Sequence, residues 1–284
     1  MKLTDSMSTN KKIKNAASYV ALSLLSFIWL LPIFWVVMTS FREETGSYTP
    51  YFFPKGFTIN NYVRLLTETD QFHFTKWFTN TLFVAVCSCI ISTFFVLAVS
   101  YVMSRMRFKM RKPLMNIAMI LGMFPGFMSM IAVYYILKGI GITQSLAALI
   151  MVYSGGAGLG FYVAKGFFDT LPRALDESAY LDGCTKMQTF FKITLPMSKP
   201  IVVYTVLTSF MAPWMDYILP RLLISSDSKK TLAVGLYDLI SSDANNQYTQ
   251  FAAGAVVVAV PITILFVALQ KHLIYGITAG STKE

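Results

Sequence analysis

Long apolar runs alternate with polar segments along the whole chain, and six of the runs are long enough to cross a membrane. A helix rises about 1.5 Å per residue, so about 20 apolar residues span the hydrocarbon core of a bilayer. The first run exceeds the apolar core of a signal peptide and no small-x-small cleavage site follows, which favours a permanent anchor. The pattern predicts an all-α polytopic membrane protein with six transmembrane helices, at Ala16–Ser40, Asn80–Ser104, Leu114–Leu137, Gln144–Ala164, Pro200–Leu223 and Gln250–Ile274.

The basic residues predict how these helices are oriented. Of the 24 Lys and Arg residues, 16 lie on the side that carries both termini and 8 on the other side. Cytoplasmic loops carry the excess of Lys and Arg, so we expect both termini and the loops 105–113 and 165–199 in the cytoplasm. The chain then has a cytoplasmic tail at 1–15, a transmembrane domain at 16–274 and a second cytoplasmic tail at 275–284 of a multi-pass cell-membrane protein.

The composition agrees with this assignment. Charged residues make up 13% of the chain, about half of their share in soluble domains, which is about 25%. The net charge of +10 follows from the topology, because no basic patch with interleaved aromatic residues lies on a soluble face, and nucleic acid is therefore not expected as a partner. Three cysteines and two histidines form no pattern of metal ligands or disulfides.

Two loops on the opposite side are long enough to fold. Phe41–Thr79 contains prolines, aromatic residues and balanced charges, which predicts a folded or interfacial cap. Ile224–Thr249 combines a helical pattern of leucines over Thr231–Ile240 with the polar stretch 241–247.

Helix breakers occur inside the predicted spans. Five prolines lie there, which indicates either simple kinks or a bundle that moves around a cavity. They are Pro32, Pro125, Pro213, Pro220 and Pro261. Glycines four positions apart, Gly122 with Gly126 and Gly156 with Gly160, predict close helix packing within or between subunits, with a role in lining a path as the alternative.

One acidic residue, Asp216, lies within a predicted span, close to Trp214. A carboxylate inside a membrane is costly to bury unpaired, so it is a functional candidate. Because Asp216 lies near the end of its span, exposure to water or pairing with Arg221 is the alternative. Pro125, Trp214 and Asp216 are the candidate residues of a translocation path. The spans contain no second acid and no His/Asp chain, which weighs against ion coupling.

The loop at 169–199, called the motif loop below, is amphipathic and too polar to cross a membrane. A capping threonine and a proline at 170–172 predict the start of a first helix, and Gly183 predicts its end. A capping-box pattern at 185–188 starts a second helix, which Leu195-Pro196 ends. Such a unit suits docking into a groove of a soluble partner, and a connector lying on the membrane surface is the alternative.

The spacing inside the motif loop resembles the EAA motif, E-A-A-x3-G-x9-I-x-L-P, of permease subunits in binding-protein-dependent ABC importers. The corresponding positions are Glu177, Ser178, Ala179, Gly183, Ile193, Leu195 and Pro196. Ser178 departs from the motif but keeps the small size of alanine.

The resemblance extends from about residue 16 to the end and is strongest to the MalG-type subunits of maltose/maltodextrin importers. Further resemblances are S-R-M-R-F at 104–108 to the family's A-R-M-R-F, M-F-P at 123–125, T-L-A-V-G at 231–235, P-I-T-I at 261–264, and G-I-T-A-G at 276–280 to the family's G-L-T-A-G. Two positions depart from the family pattern: Lys283-Glu284 replaces the usual terminal Lys-Gly, and Met215 stands where many sugar permeases have Asn before the Asp.

The resemblance implies a type I ABC importer permease that forms, with a homologous second permease, a path for maltose/maltodextrin-type oligosaccharides. The other implied partners are two ATPase subunits, an extracellular or periplasmic solute-binding protein and membrane lipid. The chain would be a transport subunit and not an enzyme, with no cofactor of its own and with ATP and Mg on the ATPase subunits. The phosphate-binding pattern G-x-x-x-x-G-K-[ST] is indeed absent from the sequence.

The resemblance also assigns residues that contact the ATPases. It implies that the motif loop is the coupling loop, through Glu177, Ser178, Ala179, Asp182, Gly183, Ile193, Leu195 and Pro196. It implies a second contact at the C-terminus, through Gly276, Thr278, Ala279 and Gly280.

Three alternatives stay open at this point: a permease for another oligosaccharide, an ion-coupled secondary transporter, and a channel or membrane scaffold. A secondary transporter predicts an ion site beyond Asp216, and a scaffold predicts no stimulation of any ATPase.

Overall fold

The computed structural model describes residues 2–44, 51–68, 73–156, 160–241 and 247–278. Over these ranges the secondary structure is helical, apart from one isolated antiparallel bridge between Arg42 and Phe57. The helices are α1 (Lys2–Ser40), α2 (Asn60–Thr67), α3 (Phe74–Arg105), α4 (Arg111–Gly122), α5 (Gly126–Gly139), α6 (Leu146–Gly156), α7 (Gly160–Thr170), α8 (Arg173–Leu181), α9 (Lys186–Thr189), α10 (Leu195–Met197), α11 (Lys199–Met215), α12 (Ile218–Leu223), α13 (Leu232–Asp238) and α14 (Tyr248–Thr278). The prediction of an all-helical chain is confirmed.

Three of the six predicted spans are continuous helices. The helical segments Lys14–Ser40, Phe74–Arg105 and Tyr248–Leu273 are each long and apolar enough to cross a membrane. Each of the other three candidate spans is a pair of helices with a sharp bend between them. By length and composition the described residues therefore provide three spans, or up to six if each bent pair counts as one.

The bends lie where the chain carries helix breakers. α4 and α5 meet at 102°, and Pro125 directly precedes α5. The helical segment Lys186–Met197 and α11 meet at 86°, and Pro200 lies in the first turn of α11. A proline removes a backbone donor and disfavours helical conformation in the preceding residue, so a helix readily ends there. The predicted single helix at 114–137 is interrupted by the first of these bends, whereas the second lies just before the predicted helix at 200–223, which is instead interrupted between α11 and α12.

The chain divides into two compact units, and the first comprises Met1–Glu68 and Asp238–Val257. In this unit, hydrogen bonds of buried polar side chains hold the segment that follows α1 in place. The Asn61 side-chain amide donates to the carbonyl oxygens of Ser40 at 3.0 Å and Arg42 at 2.8 Å. Arg42 Nη2 donates to the carbonyl oxygen of Phe52 at 3.0 Å. The described part of the segment 41–79 is therefore folded, as the sequence predicts.

The second unit comprises Thr69–Tyr237 and Val258–Glu284, and α3 is its central helix, packed against α6, α7 and α11. Small hydroxyl side chains lie at these contacts. Ser100 Oγ donates to the carbonyl oxygen of Phe161 at 2.9 Å, and the Ser92 and Ser209 hydroxyls are 3.1 Å apart. Small residues let helices approach closely in a membrane, where packing and interhelical hydrogen bonds replace the hydrophobic effect.

The glycine pairs contribute less to this packing than their spacing predicts. A Cβ at Gly160 would meet the Val96 side chain at 3.7 Å, an ordinary contact. At Gly126 and Gly156 no atom of this chain lies within 4 Å of such a Cβ. Within the described chain these two glycines therefore do not mark close helix contacts.

Candidate functional site

The first helix of the motif loop, α8, begins later than the sequence predicts. Thr170 is the last residue of α7, and its hydroxyl donates to the carbonyl oxygen of Phe167 at 2.7 Å. The prediction that Thr170 caps the next helix is therefore wrong, because the preceding helix extends through this residue. α8 starts at Arg173, directly after Pro172.

The two faces of α8 differ sharply. Asp176 and Ala179 are buried, whereas Glu177 and Ser178 are exposed. Leu181, the last residue of the helix, is 88% exposed. α8 therefore presents an acidic and apolar face outward, and the exposed leucine was not identified from the sequence.

Gly183 forms the turn that ends α8, with a backbone φ of +82°. Its N–H donates to the carbonyl oxygen of Tyr180 at 3.1 Å, and the N–H of Cys184 donates to the carbonyl oxygen of Ala179 at 2.9 Å. These bonds satisfy carbonyls that the helix end leaves free. The predicted glycine stop is confirmed, and the exposed Asp182 lies directly before it.

Replacing Gly183 by Ala is expected to lower the thermal unfolding temperature of the purified permease assembly by about 2–4 °C, since left-handed backbone costs an L-residue about 1 kcal/mol. Gly183→Asn should lower the unfolding temperature by less than Gly183→Ala, because asparagine tolerates left-handed backbone better than alanine. Gly166→Ala is the matched control: Gly166 is helical and no atom lies within 4 Å of an added Cβ. An unchanged or higher unfolding temperature for Gly183→Ala would contradict the requirement for glycine at this turn.

The second helix of the motif loop starts with the predicted capping box. The Thr185 N–H donates to Gln188 Oε1 at 2.8 Å, and the Gln188 N–H donates to Thr185 Oγ1 at 3.3 Å. A π-helical turn at Phe190–Thr194 follows, and the helix continues to Met197. The predicted end at Leu195-Pro196 is therefore slightly early.

The remaining motif positions lie in this second helix. Ile193 and Leu195 are half-buried and Pro196 is exposed. Leu195 packs against a buried cluster of α3, α7 and α11 that contains Leu97, Phe168 and Ile201. Leu195 therefore anchors the second helix of the loop to the helices behind it.

Arg105, at the end of α3, contacts the buried face of α8. Its guanidinium Nη1 lies 3.3 Å from Asp176 Oδ2. From the sequence, Arg105 is identified only as a basic residue of a cytoplasmic loop. Asp176 lies about 70 residues further along the chain, so no local pattern predicts the ion pair.

Asp216 lies at the break between α11 and α12 and is half-buried. Its Oδ2 accepts a hydrogen bond from the Tyr153 hydroxyl at 3.0 Å, and its Oδ1 accepts one from the Leu219 N–H at 3.2 Å. Asp216 is therefore held by polar groups of α6 and α12, an arrangement that the sequence does not reveal.

A cavity of about 440 Å³ lies beside Asp216, within the second unit. Its polar lining consists of hydroxyl side chains and this carboxylate: Ser88, Ser92, Ser129, Tyr153, Tyr204, Thr205, Thr208, Ser209 and Asp216. Of the three candidate path residues only Asp216 belongs to the lining. Trp214 is instead buried against the rings of Phe78 and Phe210, at centroid distances of 5.3 and 6.0 Å.

The C-terminal candidates are only partly visible. Gly276 and Thr278 lie in the last turns of α14, whereas Ala279 and Gly280 lie outside the described residues. In the part of the chain that the structure describes, no group of three His, Cys, Asp or Glu side chains could hold a metal ion.

Comparison with known proteins gives the family. The family described as "Binding-protein-dependent transport system inner membrane component" matches residues 95–278. The galactooligosaccharides transport system permease protein GanQ of Bacillus subtilis (strain 168) is 32% identical, with 98% of each chain covered. The maltodextrin transport system permease protein MdxG of the same strain is 34% identical, over 97% of this chain and 99% of MdxG.

A solved structure supports the same fold. The crystal structure of a bacterial ABC transporter involved in the import of the acidic polysaccharide alginate contains a chain that superposes with a TM-score of 0.75. The match covers 92% of this chain and 96% of that chain at 20% sequence identity. Full-length similarity to permeases and the shared fold show that the chain belongs to the inner membrane components of binding-protein-dependent transport systems, which are permease subunits and not enzymes.

Proposed function

We propose that the chain is one of two permease subunits of an ATP-driven importer for maltodextrin-type oligosaccharides. The observation that carries this proposal is full-length similarity to a maltodextrin permease, MdxG, at 34% identity. GanQ, which is named for galactooligosaccharides, is similar at 32% identity, so another neutral oligosaccharide is the second candidate substrate. The membrane-spanning part would consist of six spans, with α4 and α5 forming one, α6 and α7 another, and α11 and α12 the fifth, and with both termini in the cytoplasm.

The motif loop is the proposed attachment site for an ATPase subunit. Glu177 and Leu181, four residues apart, lie on the same exposed side of α8, and the exposed Asp182 follows directly after this helix. An apolar centre with polar and charged groups around it is the usual arrangement of a protein interface. A second ATPase would bind the homologous permease, and ATP and Mg would lie on the ATPases. The C-terminal residues Gly276–Gly280 would contact the same ATPase pair.

The path for the sugar would run between the two permeases. The cavity beside Asp216 has a largely apolar wall that carries several hydroxyl groups, and it lies at the break between α11 and α12. Such irregular backbone is tolerated at membrane depth where it lines a cavity. Closure of the ATPases would pull on the motif loops and rock the two bundles between inward-facing and outward-facing states. A solute-binding protein would deliver the sugar at the opposite side, where the segment 224–249 is the expected contact.

Proteoliposomes with the complete set of subunits test the proposal. We expect uptake of labelled maltodextrin that requires internal ATP and the solute-binding protein, and that ceases when this chain is omitted. Labelled galactooligosaccharide, added in parallel, decides between the two substrate classes. Uptake that continues without ATP and collapses with an ionophore would contradict the proposal and favour a secondary transporter.

A further inference from the structure

The guanidinium group of Arg105 joins the ends of three helices. Nη1 lies 3.3 Å from Asp176 Oδ2 in α8. Nη2 donates to the carbonyl oxygen of Phe168, near the end of α7, at 2.8 Å. The same nitrogen donates to the carbonyl oxygen of Leu171, in the turn between α7 and α8, at 3.0 Å. One side chain at the end of α3 therefore holds both the start of the motif loop and its first helix.

This contact is buried and charged. The side chains of Arg105 and Asp176 are 5% and 11% exposed. A buried ion pair is costly to form, but removing one partner leaves an unpaired charge in a poorly solvated place, which is strongly unfavourable. The pair therefore constrains the position of α8 relative to α3 more tightly than a contact at the protein surface would.

The contact of α8 with α3 and its proposed docking surface involve adjacent residues. Asp176 points to Arg105 on the buried side, and Glu177, the next residue, is exposed. Successive residues in an α-helix are separated by about 100° around its axis, so one turn presents both the proposed docking face and the anchor. A displacement of the docking face must therefore move the anchor with it.

Neighbouring residues of α3 hold other parts of the motif loop. The Tyr101 hydroxyl donates to the carbonyl oxygen of Lys186 at 3.3 Å, and the Tyr101 ring lies 4.8 Å from that of Phe190. Ser104 Oγ donates to Asp169 Oδ1 at 2.6 Å. These contacts reach the beginning and the second helix of the loop, whereas Arg105 reaches the first helix.

We infer that Arg105, through Asp176, is a positioning residue that transmits the movement of α8 to α3 during transport. The inference rests on the proposed function, in which an ATPase seats on α8. α3 carries the movement onward because it packs against α6, α7 and α11, and because Ser88, Ser92 and Val96 of α3 line the cavity beside Asp216. The ion pair thus connects the ATPase contact with the wall of the proposed path.

The test compares Asp176→Asn, Asp176→Glu and a control in the complete importer, and measures sugar transported per ATP hydrolysed. Asp176→Asn keeps the shape of the side chain and removes its charge. We expect it to retain the ATPase subunits and hydrolyse ATP, while transport per ATP falls about tenfold. Asp176→Glu restores the carboxylate and should stay within about twofold of the unaltered chain. Arg107→Gln is the control, because Arg107 lies two residues from Arg105 and is exposed.

An unchanged ratio of sugar to ATP in Asp176→Asn would overturn the inference, as would a loss of transport that merely parallels loss of bound ATPase. If that variant does not assemble, Arg105→Lys carries the same test, because it keeps the charge but cannot bond the carboxylate and both carbonyls together. Failure of the proposed function looks different, since the unaltered importer would then show no ATP-driven uptake.

Discussion

Replacing Leu181 by Asp is expected to abolish stimulation of ATP hydrolysis by the sugar-loaded binding protein. Leu181 is 88% exposed at the end of α8, four residues after Glu177 and hence on the same side of the helix. Under the proposed function this leucine is the apolar centre of the contact with the ATPase subunit. A carboxylate at this position would have to be buried without a partner in the interface. We expect affinity for the ATPase subunits to fall about 30-fold, which corresponds to about 2 kcal/mol.

The measurement is retention of the ATPase subunits on the purified permease pair, together with sugar-stimulated hydrolysis. Leu181→Met keeps an apolar side chain of similar volume and should retain most of the activity. Leu66→Asp makes the same change at another exposed leucine, in α2, outside the motif loop, and should leave ATPase binding intact. Normal ATPase binding and hydrolysis in Leu181→Asp would refute the assignment of α8 as the docking helix.

The motif loop shows which parts of a site can be predicted from sequence. Its capping box and its glycine turn are local signals, since a short stretch of residues specifies the hydrogen bonds or the φ angle, and both are confirmed. The cap predicted at Thr170 is wrong because threonine can also hydrogen-bond within a helix, and its hydroxyl does so in the last turn of α7. The partner of Arg105 could not be predicted, because the ion pair forms only after α3 and α8 pack together.

The membrane spans, too, can be predicted only in part from the sequence. Apolar length predicts where the chain can cross a bilayer, and three of the six runs are indeed continuous helices. A proline shows where a helix can break but not how far it bends. Pro125 accompanies a bend of 102°, whereas Pro32 and Pro261 lie inside continuous helices. Whether a break becomes a bend depends on the neighbours that satisfy the freed backbone groups, and a pattern of apolar residues does not contain that information.

Replacing Gly235, in α13, by Ala is expected to destabilise the segment that follows α12. An added Cβ would overlap the ring of Trp77, which is buried. The ring cannot easily yield, because its Nε1 donates to the carbonyl oxygen of Asp227 at 3.3 Å. α13 would have to move instead, and its first N–H, from Leu232, would lose the bond of 2.8 Å to Thr81 Oγ1. Overpacking of this kind costs about 1–3 kcal/mol.

Under the proposed function this segment meets the solute-binding protein, so Gly235→Ala should lower both the unfolding temperature of the assembly and its affinity for that protein. Gly139→Ala is the control, because no atom lies within 4 Å of a Cβ at Gly139. Combining Gly235→Ala with Trp77→Leu makes room for the methyl group. Since the two residues touch, the double variant should be destabilised by less than the sum of the two single changes. Strict additivity would show that the Trp77 contact is not what requires glycine at position 235.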